Sequence, residues 1–484
     1  MGGLLLSPIM LMSLRAQEVL TLDLQKALDI ALSESPTVKV AEMEIEKKEY
    51  AKKGSYAALF PQINFSGDYN RTLKKQVMYM DNAFNIGDMM SPMFVGMENA
   101  LTDIVPGYPT GTLTDYIMKE FNKGAEGSSD GGIAIGRDNN WNFGFSAGMP
   151  LVNVQLWKSL DISGIDVELA IEQARSSKIN MVNQVKKAYY GVMLANDSYH
   201  VLKTSYGNAM DNYNDIKAKF DQGLVAEYDL IRADVAVKNV EPNMLQAENA
   251  VKLSQWQLKA LLGMDLDMNI ECTGELSDYE ESLIGDYLSI DTTLNYNSDL
   301  RQLDLQTRQL DKMLGMQKAE FLPTLSLSGV YQWTAMENTF KFKDYHLNPY
   351  SMVGVSLSIP IFSGGQRVNK VKQTQVTLNQ MKWQRGDAVR NLQLAVRNYM
   401  DNMTTCVKRY DATMKGVKQA EKGYQIAKKR YETGAGTLLE LNDAELSMTT
   451  AKLNFNQSIY DYVVAKSELE KILGQYNEDQ TKSR

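Results

Sequence analysis

Little in these 484 residues invites chemistry. The two cysteines, Cys272 and Cys406, lie far apart and share no ligand or disulfide spacing, so neither a disulfide framework nor a zinc site is expected. The two histidines, His200 and His346, stand alone, and an isolated histidine reads as a solvated or core residue rather than a metal ligand. A phosphate-binding loop, a metal-ligand spacing and a nucleophile–base signature are all missing. Gly364-Gly365 follows a strand pattern and precedes a helix pattern, but the rest of a dinucleotide fingerprint is absent. Neither an enzyme nor a cofactor is expected. Positive charge is short as well. A net charge of −8 argues against nucleic acid as a partner, because that would need a basic face. Long apolar runs are also lacking. After the first sixteen residues no apolar stretch reaches the 18 or so that a membrane helix needs, so a mature chain that enters a bilayer must do so as a β-barrel.

What is present begins with an apolar run from Leu4 to Leu14, followed by Arg15, Ala16 and Gln17. It is too short to span a bilayer and suits a signal peptide over 1–16, cleaved after Ala16. Beyond it the chain repeats itself. Lys219-Phe220-Asp221-Gln222-Gly223 aligns with Arg430-Tyr431-Glu432-Thr433-Gly434 at an offset of 434 − 223 = 211. Met149-Pro150-Leu151 aligns with Ile359-Pro360-Ile361, and Leu59-Phe60-Pro61 with Phe321-Leu322-Pro323 at a larger offset. The first copy therefore carries extra residues between its two strands. Each half reads helix, strand, long loop, strand, long helix, turn, return helix.

The helices show an unbroken alternation of threes and fours. One series is Val182, Val185, Tyr189, Val192, Ala195, Tyr199, Leu202, Tyr206, Ala209, Tyr213, Ile216 and Phe220. The other is Val389, Leu392, Val396, Tyr399, Met403, Cys406, Tyr410, Met414, Val417, Ala420, Tyr424, Ala427 and Tyr431. Such a stripe is a coiled-coil seam. It resumes after the turn glycines Gly223 and Gly434, from Leu230 to Val251 and from Leu441 to Tyr462. The expected long helices, 154–222 and 365–433, have about 70 residues each and so a length of about 100 Å. The stripe itself is packing; the function lies in the length.

Four segments alternate with period two. Ile63, Phe65, Gly67 and Tyr69 face one way in the first; Trp141, Phe143, Phe145, Ala147 and Met149 in the second; Leu325, Leu327, Gly329, Tyr331 and Trp333 in the third; Val353, Val355, Leu357 and Ile359 in the fourth. The opposite faces are small and polar. This is the pattern of lipid outside and water inside. Tyr69, Trp141, Tyr331 and Trp333 gather toward the loop ends as an aromatic girdle would, and Pro61, Pro150, Pro323 and Pro360 mark the expected strand–helix junctions. A membrane barrel has no open edge, and the smallest bacterial ones use about eight strands. Four strands per chain therefore call for two, three or four copies in one barrel.

Arg430-Tyr431-Glu432-Thr433-Gly434 followed by Thr437-Leu438-Leu439-Glu440-Leu441-Asn442-Asp443-Ala444 resembles the hairpin-tip motif of TolC-type outer-membrane factors. Pro360-Ile361-Phe362-Ser363-Gly364-Gly365 looks like that family's strand-to-helix signature, and Leu22 to Leu32 with Ala27 and Ser35-Pro36 like its N-terminal helix. The resemblance covers nearly the whole mature chain. It implies a mainly α fold with a membrane β-barrel contribution: two tandem repeats, three chains, a 12-stranded barrel and, beneath it, a long periplasmic α-helical barrel. It also implies a homotrimer in outer-membrane lipid that works with a periplasmic adaptor protein and an inner-membrane pump of the RND or ABC kind. The exported cargo is then small molecules or, in the type I secretion alternative, proteins. By the same resemblance Glu440 and Asp443 stand at an acidic ring at the periplasmic entrance, Tyr431 at the tip tyrosine, and Asp229 at the matching acid of the first tip. Gly436 and Tyr228 depart from the pattern, standing where the family's type member has polar gate residues. Glu440 and Asp443, spaced i, i+3, share a helix face, and symmetric copies would focus negative potential at a narrow mouth.

The implied division is a signal peptide at 1–16; a first repeat at 17–262, with strands about 61–71 and 141–150 and a hairpin about 154–262; an equatorial segment at 263–290; a second repeat at 291–474, with strands about 323–334 and 351–360 and a hairpin about 365–474; and a polar tail at 475–484. Residues 72–140, rich in Met, Gly and Asp, read as the loop between the first two strands, either a surface cap or disordered. A structural coiled-coil stalk is the competing reading. It accounts for the helices and leaves four lipid-type strands unexplained.

Overall fold

The computed structural model describes residues 20–79, 86–105, 107–125, 132–280 and 292–475. The expected signal peptide, most of the polar tail and the end of the equatorial segment lie outside these residues. The chain divides into two compact units: a helical one built from residues up to 56, 154–321 and 361 onward, and a strand unit built from 57–153 and 322–360.

The helical unit begins with a short strand, β1 (Leu20–Leu22), then α1 (Leu24–Glu34) and α2 (Pro36–Ala57). α1 falls where the resemblance placed the N-terminal helix, and α2 follows it directly. Asp23 caps α1 by accepting from the Lys26 N–H at 2.7 Å. Pro36 opens α2, a position where its missing N–H costs nothing. The long hairpins are α5 (Val154–Asp221) with α6 (Glu227–Leu262), and α8 (Gln366–Glu432) with α9 (Leu438–Leu473); α7 (Ser298–Ala319) packs on α5 and α8. At 1.5 Å per residue the 68 residues of α5 extend about 100 Å. Of the seam positions, Val185, Tyr189, Val192 and Ile216 on α5 and Val396, Met403 and Tyr410 on α8 are buried, the others are half-buried, and Met181, Tyr190 and Met193 are buried beside the seam. Polar pairs fix the register of α5 against α9. The Asn183 amide donates to Glu468 Oε1 at 3.1 Å, Lys187 Nζ donates to the same oxygen at 2.8 Å, and Ser467 Oγ donates to Asn183 Oδ1 at 2.7 Å. One core tyrosine ties down the connecting segment. Tyr189 Oη donates to the carbonyls of Leu22, 3.0 Å away, and Thr273, 2.7 Å away. β1 lies parallel to β6 (Ile270–Cys272), inside the segment read as equatorial.

The strand unit is an antiparallel sheet in the order β2-β5-β7-β8: β2 (Gln62–Arg71), β5 (Asn139–Val152), β7 (Thr324–Glu337) and β8 (Asn348–Ser358). Its register sorts the two faces as the alternation suggested. Phe65, Phe145 and Tyr331 lie side by side across three strands, as do Gly67, Phe143 and Trp333, while Asn64, Ser146 and Ser66, Gly144, Gln332 fall on the other face. Cross-strand aromatic pairs knit the apolar face, with Tyr69 and Trp141 ring centroids 4.5 Å apart and Phe143 and Trp333 5.6 Å apart. β2 and β8 are edges. Pro349 is the second residue of β8, at the strand's start, where a missing donor is tolerated.

Two expectations are corrected here. Pro150 does not sit at a strand–helix junction. It lies inside β5, where the pairing with β7 shifts register between Pro150 and Val152, and the bulge absorbs its missing donor. The segment 72–140 is not plain loop among its described residues. β3 (Gln76–Tyr79) pairs with β4 (Gly132–Ile135), and α3 (Ile86–Ile104) packs on α4 (Thr112–Ala125). Glu98, buried on α3, accepts from the Leu113 and Thr114 N–H groups at 3.0 and 3.3 Å and so satisfies the start of α4 from another helix. Those hydrogen bonds and the Thr114 hydroxyl hold its carboxyl below the usual range, the hydroxyl most of all.

Candidate functional site

Both hairpin tips are built on the same turn. In the first, the Gly223 N–H donates to the Phe220 carbonyl at 2.8 Å and the Leu224 N–H to the Lys219 carbonyl at 2.9 Å. In the second, the Gly434 N–H donates to the Tyr431 carbonyl at 3.0 Å and the Ala435 N–H to the Arg430 carbonyl at 2.8 Å. The paired bonds are a Schellman motif, which needs a left-handed residue just past the helix. Gly223 and Gly434, at φ +72° and +77°, supply it without a Cβ penalty.

The second tip is the more tightly wired. Thr437 begins α9 with a reciprocal capping box: its hydroxyl accepts from the Glu440 N–H at 3.2 Å, and Glu440 Oε2 accepts from the Thr437 N–H at 3.4 Å. Arg430 reaches the Ala435 carbonyl at 3.1 Å and lies 3.6 Å from Glu440 Oε2. Gly436 sits inside this knot. A Cβ there would meet Arg430 Cβ at 3.0 Å and Glu440 Oε2 at 3.2 Å, so the departure at Gly436 has a steric cause. Glu440 is thus engaged in its own turn, about half exposed. Asp443 is exposed on the same helix and makes no hydrogen bond or ion pair among the described residues.

The two tips meet through a small core of Ile216, Ala233 and Leu438, with Tyr213, Val225, Leu230 and Tyr431 packed against it. Tyr431 therefore belongs to both hairpins. Lys219 Nζ lies 5.3 Å from its ring centroid. Burial, and after it the negative charges of Asp229 and Asp215, push its hydroxyl pKa up. The structure so brings Tyr431 and Asp229 into one neighbourhood and puts Glu440 and Asp443 one helical turn apart at the start of α9. Pro61, Pro323 and Pro360 flank β2, β7 and β8, outside the tips.

One buried acid escaped the sequence reading. Glu445, 8% exposed, accepts from the Asn208 amide at 2.8 Å, while its other oxygen is buried without a hydrogen-bond partner. Burial raises its pKa, opposed by Asn208, Tyr424 and the charge of Lys428. The signal was available: 441, 445 and 448 fall on one inward helical stripe, and a carboxylate there is out of place.

A four-stranded, one-side-apolar sheet joined to coiled-coil hairpins of this length defines a membrane channel protein. The chain belongs to the outer membrane efflux protein family, whose model matches residues 121–264 and 289–475. It is similar to the outer membrane protein TolC of Vibrio cholerae, 22% identical over 330 residues that cover 66% of this chain and 74% of that protein. It is also similar to the alkaline protease secretion protein AprF of Pseudomonas aeruginosa, 22% identical over 304 residues, 62% of this chain and 63% of that one. In fold it matches the CmeC outer membrane channel of Campylobacter jejuni, with a TM-score of 0.70 at 18% identity, covering 95% of this chain and 88% of that chain. The outer membrane protein VceC of Vibrio cholerae gives 0.65 at 14%, covering 94% and 97%. The protein is an outer-membrane export channel of a Gram-negative cell, mostly helical with a β-barrel contribution.

Proposed function

We propose that three copies pool their sheets into one barrel and serve as a passive, non-catalytic conduit, handing on cargo received through a periplasmic adaptor from an inner-membrane RND or ABC pump. The observation that carries this reading is the open sheet. β2 and β8 are both edges and largely exposed, with Ile63, Phe65, Val353, Val355 and Leu357 each more than half accessible. An unpaired edge is untenable in hydrocarbon, so β2 of one copy must pair with β8 of the next. The exposed apolar face then meets outer-membrane lipid. Cysteines placed at Ser66 and Ser356 and oxidised in outer-membrane vesicles are expected to give a covalent ladder ending at three chains. A ladder ending at two or four would replace the trimer, and monomer alone would remove the shared barrel.

At the tips, Glu440 and Asp443 form the proposed acidic entrance, with Asp229 and Tyr431 behind it. Three copies of an exposed carboxylate around one mouth would concentrate divalent cations. The double variant Glu440→Ala, Asp443→Ala is therefore expected to relieve divalent-cation block in planar-bilayer conductance; unchanged block would take both residues out of the entrance. The likeness to AprF, named for protease secretion, favours protein export as a second reading of the same duct.

A further inference from the structure

Away from the turn of each tip, α5, α6 and α9 line a half-open cavity of about 550 Å³. That volume falls in the range of small-molecule sites, about 300–1,000 Å³. Leu202, Val240, Leu446 and Leu453 supply apolar wall, and Asn212, Asn243, Gln246 and Thr449 supply hydrogen-bonding groups. One lining residue is ionisable, Glu445, and no lysine or arginine lines the cavity. Glu445 is more than nine-tenths buried; Asn208 donates to one carboxylate oxygen, and the other has no hydrogen-bond partner. The other groups that act on it, Tyr424, Ser205 and the charge of Lys428, leave no cation inside the cavity wall.

A buried carboxylate with an oxygen unsatisfied is costly to keep and persists where something offsets it. In this cavity the missing complement is positive and small. Apolar walls around a single acid are the surroundings that suit an apolar body carrying one protonated nitrogen. A neutral apolar ligand would gain the walls and leave the carboxylate as it is. A metal dication would find one carboxylate and scattered amides, too few hard ligands to replace its waters.

We propose that the α5–α6–α9 cavity is a binding site for amphipathic organic cations, with Glu445 as the charge partner. The inference rests on packing within one chain's hairpins and is independent of the entrance assigned to Glu440 and Asp443. Glu445 contributes the charge, and the amides of Asn243 and Gln246 on α6 offer acceptor oxygens elsewhere in the lining. A ligand seated there bridges both hairpins.

The test is equilibrium binding to the purified full-length channel in detergent. The probe is 1-naphthylmethylamine, a fluorescent cation at neutral pH, with 1-naphthalenemethanol as its uncharged counterpart. The cation is expected to bind saturably and at least about tenfold more tightly than the alcohol. Glu445→Gln is expected to erase that preference while leaving alcohol binding within about twofold. Ala250→Phe, which fills the cavity, is expected to abolish both. Asn243→Asp adds a second acid and is expected to strengthen cation binding severalfold, a gain that misfolding cannot mimic. Glu440→Gln with Asp443→Asn is expected to leave binding untouched, which separates this site from the entrance. Equal binding of amine and alcohol, a cation preference that survives Glu445→Gln, or no saturable binding would each overturn the proposal.

Discussion

The two hairpin tips share a backbone and differ in nearly everything attached to it. At the offset of 211, Gly223 matches Gly434, Phe220 matches Tyr431, Ala226 matches Thr437, Asp229 matches Glu440 and Arg232 matches Asp443. The Schellman bonds agree donor for donor. Yet α6 starts at Ala226 with no side-chain cap, while α9 starts at Thr437 with a full capping box. The first tip contributes two of the three fully buried residues of the shared core, Ile216 and Ala233, and the second contributes Leu438 with Tyr431 alongside. The charge differs too, since Arg232 stands where the second tip has Asp443. A duplicated scaffold has kept the turn that geometry demands and divided the remaining work, with packing weighted to the first tip and capping and net acidity to the second.

The largest effect should come from breaking the shared core. Ile216 is fully buried, and its counterpart in the second hairpin is the smaller Ala427. Ile216→Ala should cost about 2–4 kcal/mol of local stability, read as faster amide hydrogen exchange over 213–233 and also over 431–441. Faster exchange confined to the first hairpin would mean the tips do not share a core.

A middle-sized effect separates the caps. Thr437→Ala removes the hydroxyl that accepts from the Glu440 N–H, leaves the backbone N–H that donates to Glu440 Oε2, and should destabilise the start of α9 by about 1 kcal/mol. Ala226 already has the extended backbone of a cap, φ −79° and ψ 153°, so Ala226→Ser should stabilise α6 by a similar or smaller amount. Opposite signs at the two tips, measured by exchange of the first-turn amides, are the expected result. Loss at both would mean that something other than the side-chain bond holds these ends.

Much of this was legible in the chain itself. The offset of 211, the seam through Val185, Tyr189 and Ile216, and the alternation through Phe65 and Phe145 all follow from periods of 3.6 and 2 that each residue repeats independently. What periodicity does not encode is which periodic surface meets which. The contact of Tyr431 with the first hairpin joins residues more than two hundred positions apart and leaves no local trace. The helices α3 and α4 each carry an amphipathic stripe of their own, masked by the Met-, Gly- and Asp-rich composition of the segment, while the reach of Glu98 to the Leu113 and Thr114 amides that orders the pair is non-local. Pro150 misled because a proline at a bulge and a proline at a junction look alike in sequence. The capping role of Glu440, in contrast, stood in plain view as Thr437-x-x-Glu440; the resemblance to an entrance acid drew attention from it.

The smallest effect on stability isolates the double duty of Glu440, and it decides how the tips differ. As a cap, Glu440 needs an acceptor oxygen at the Thr437 N–H; as an entrance acid, it needs charge. Glutamine keeps the first and removes the second. The ion pair with Arg430 is half exposed at 3.6 Å, and pairs of that kind contribute about 0–1 kcal/mol, so Glu440→Gln should change exchange at the start of α9 by no more than about 0.5 kcal/mol. Asp229→Asn provides the same neutralisation at the uncapped tip. If the second tip owes its role to charge, Glu440→Gln will weaken divalent-cation block while the helix end stays as stable as before, and Asp229→Asn will weaken it less, because Arg232 already offsets the acids of that tip. Loss of stability without loss of block would make Glu440 a cap alone and leave Asp443 as the acid that distinguishes the two hairpins.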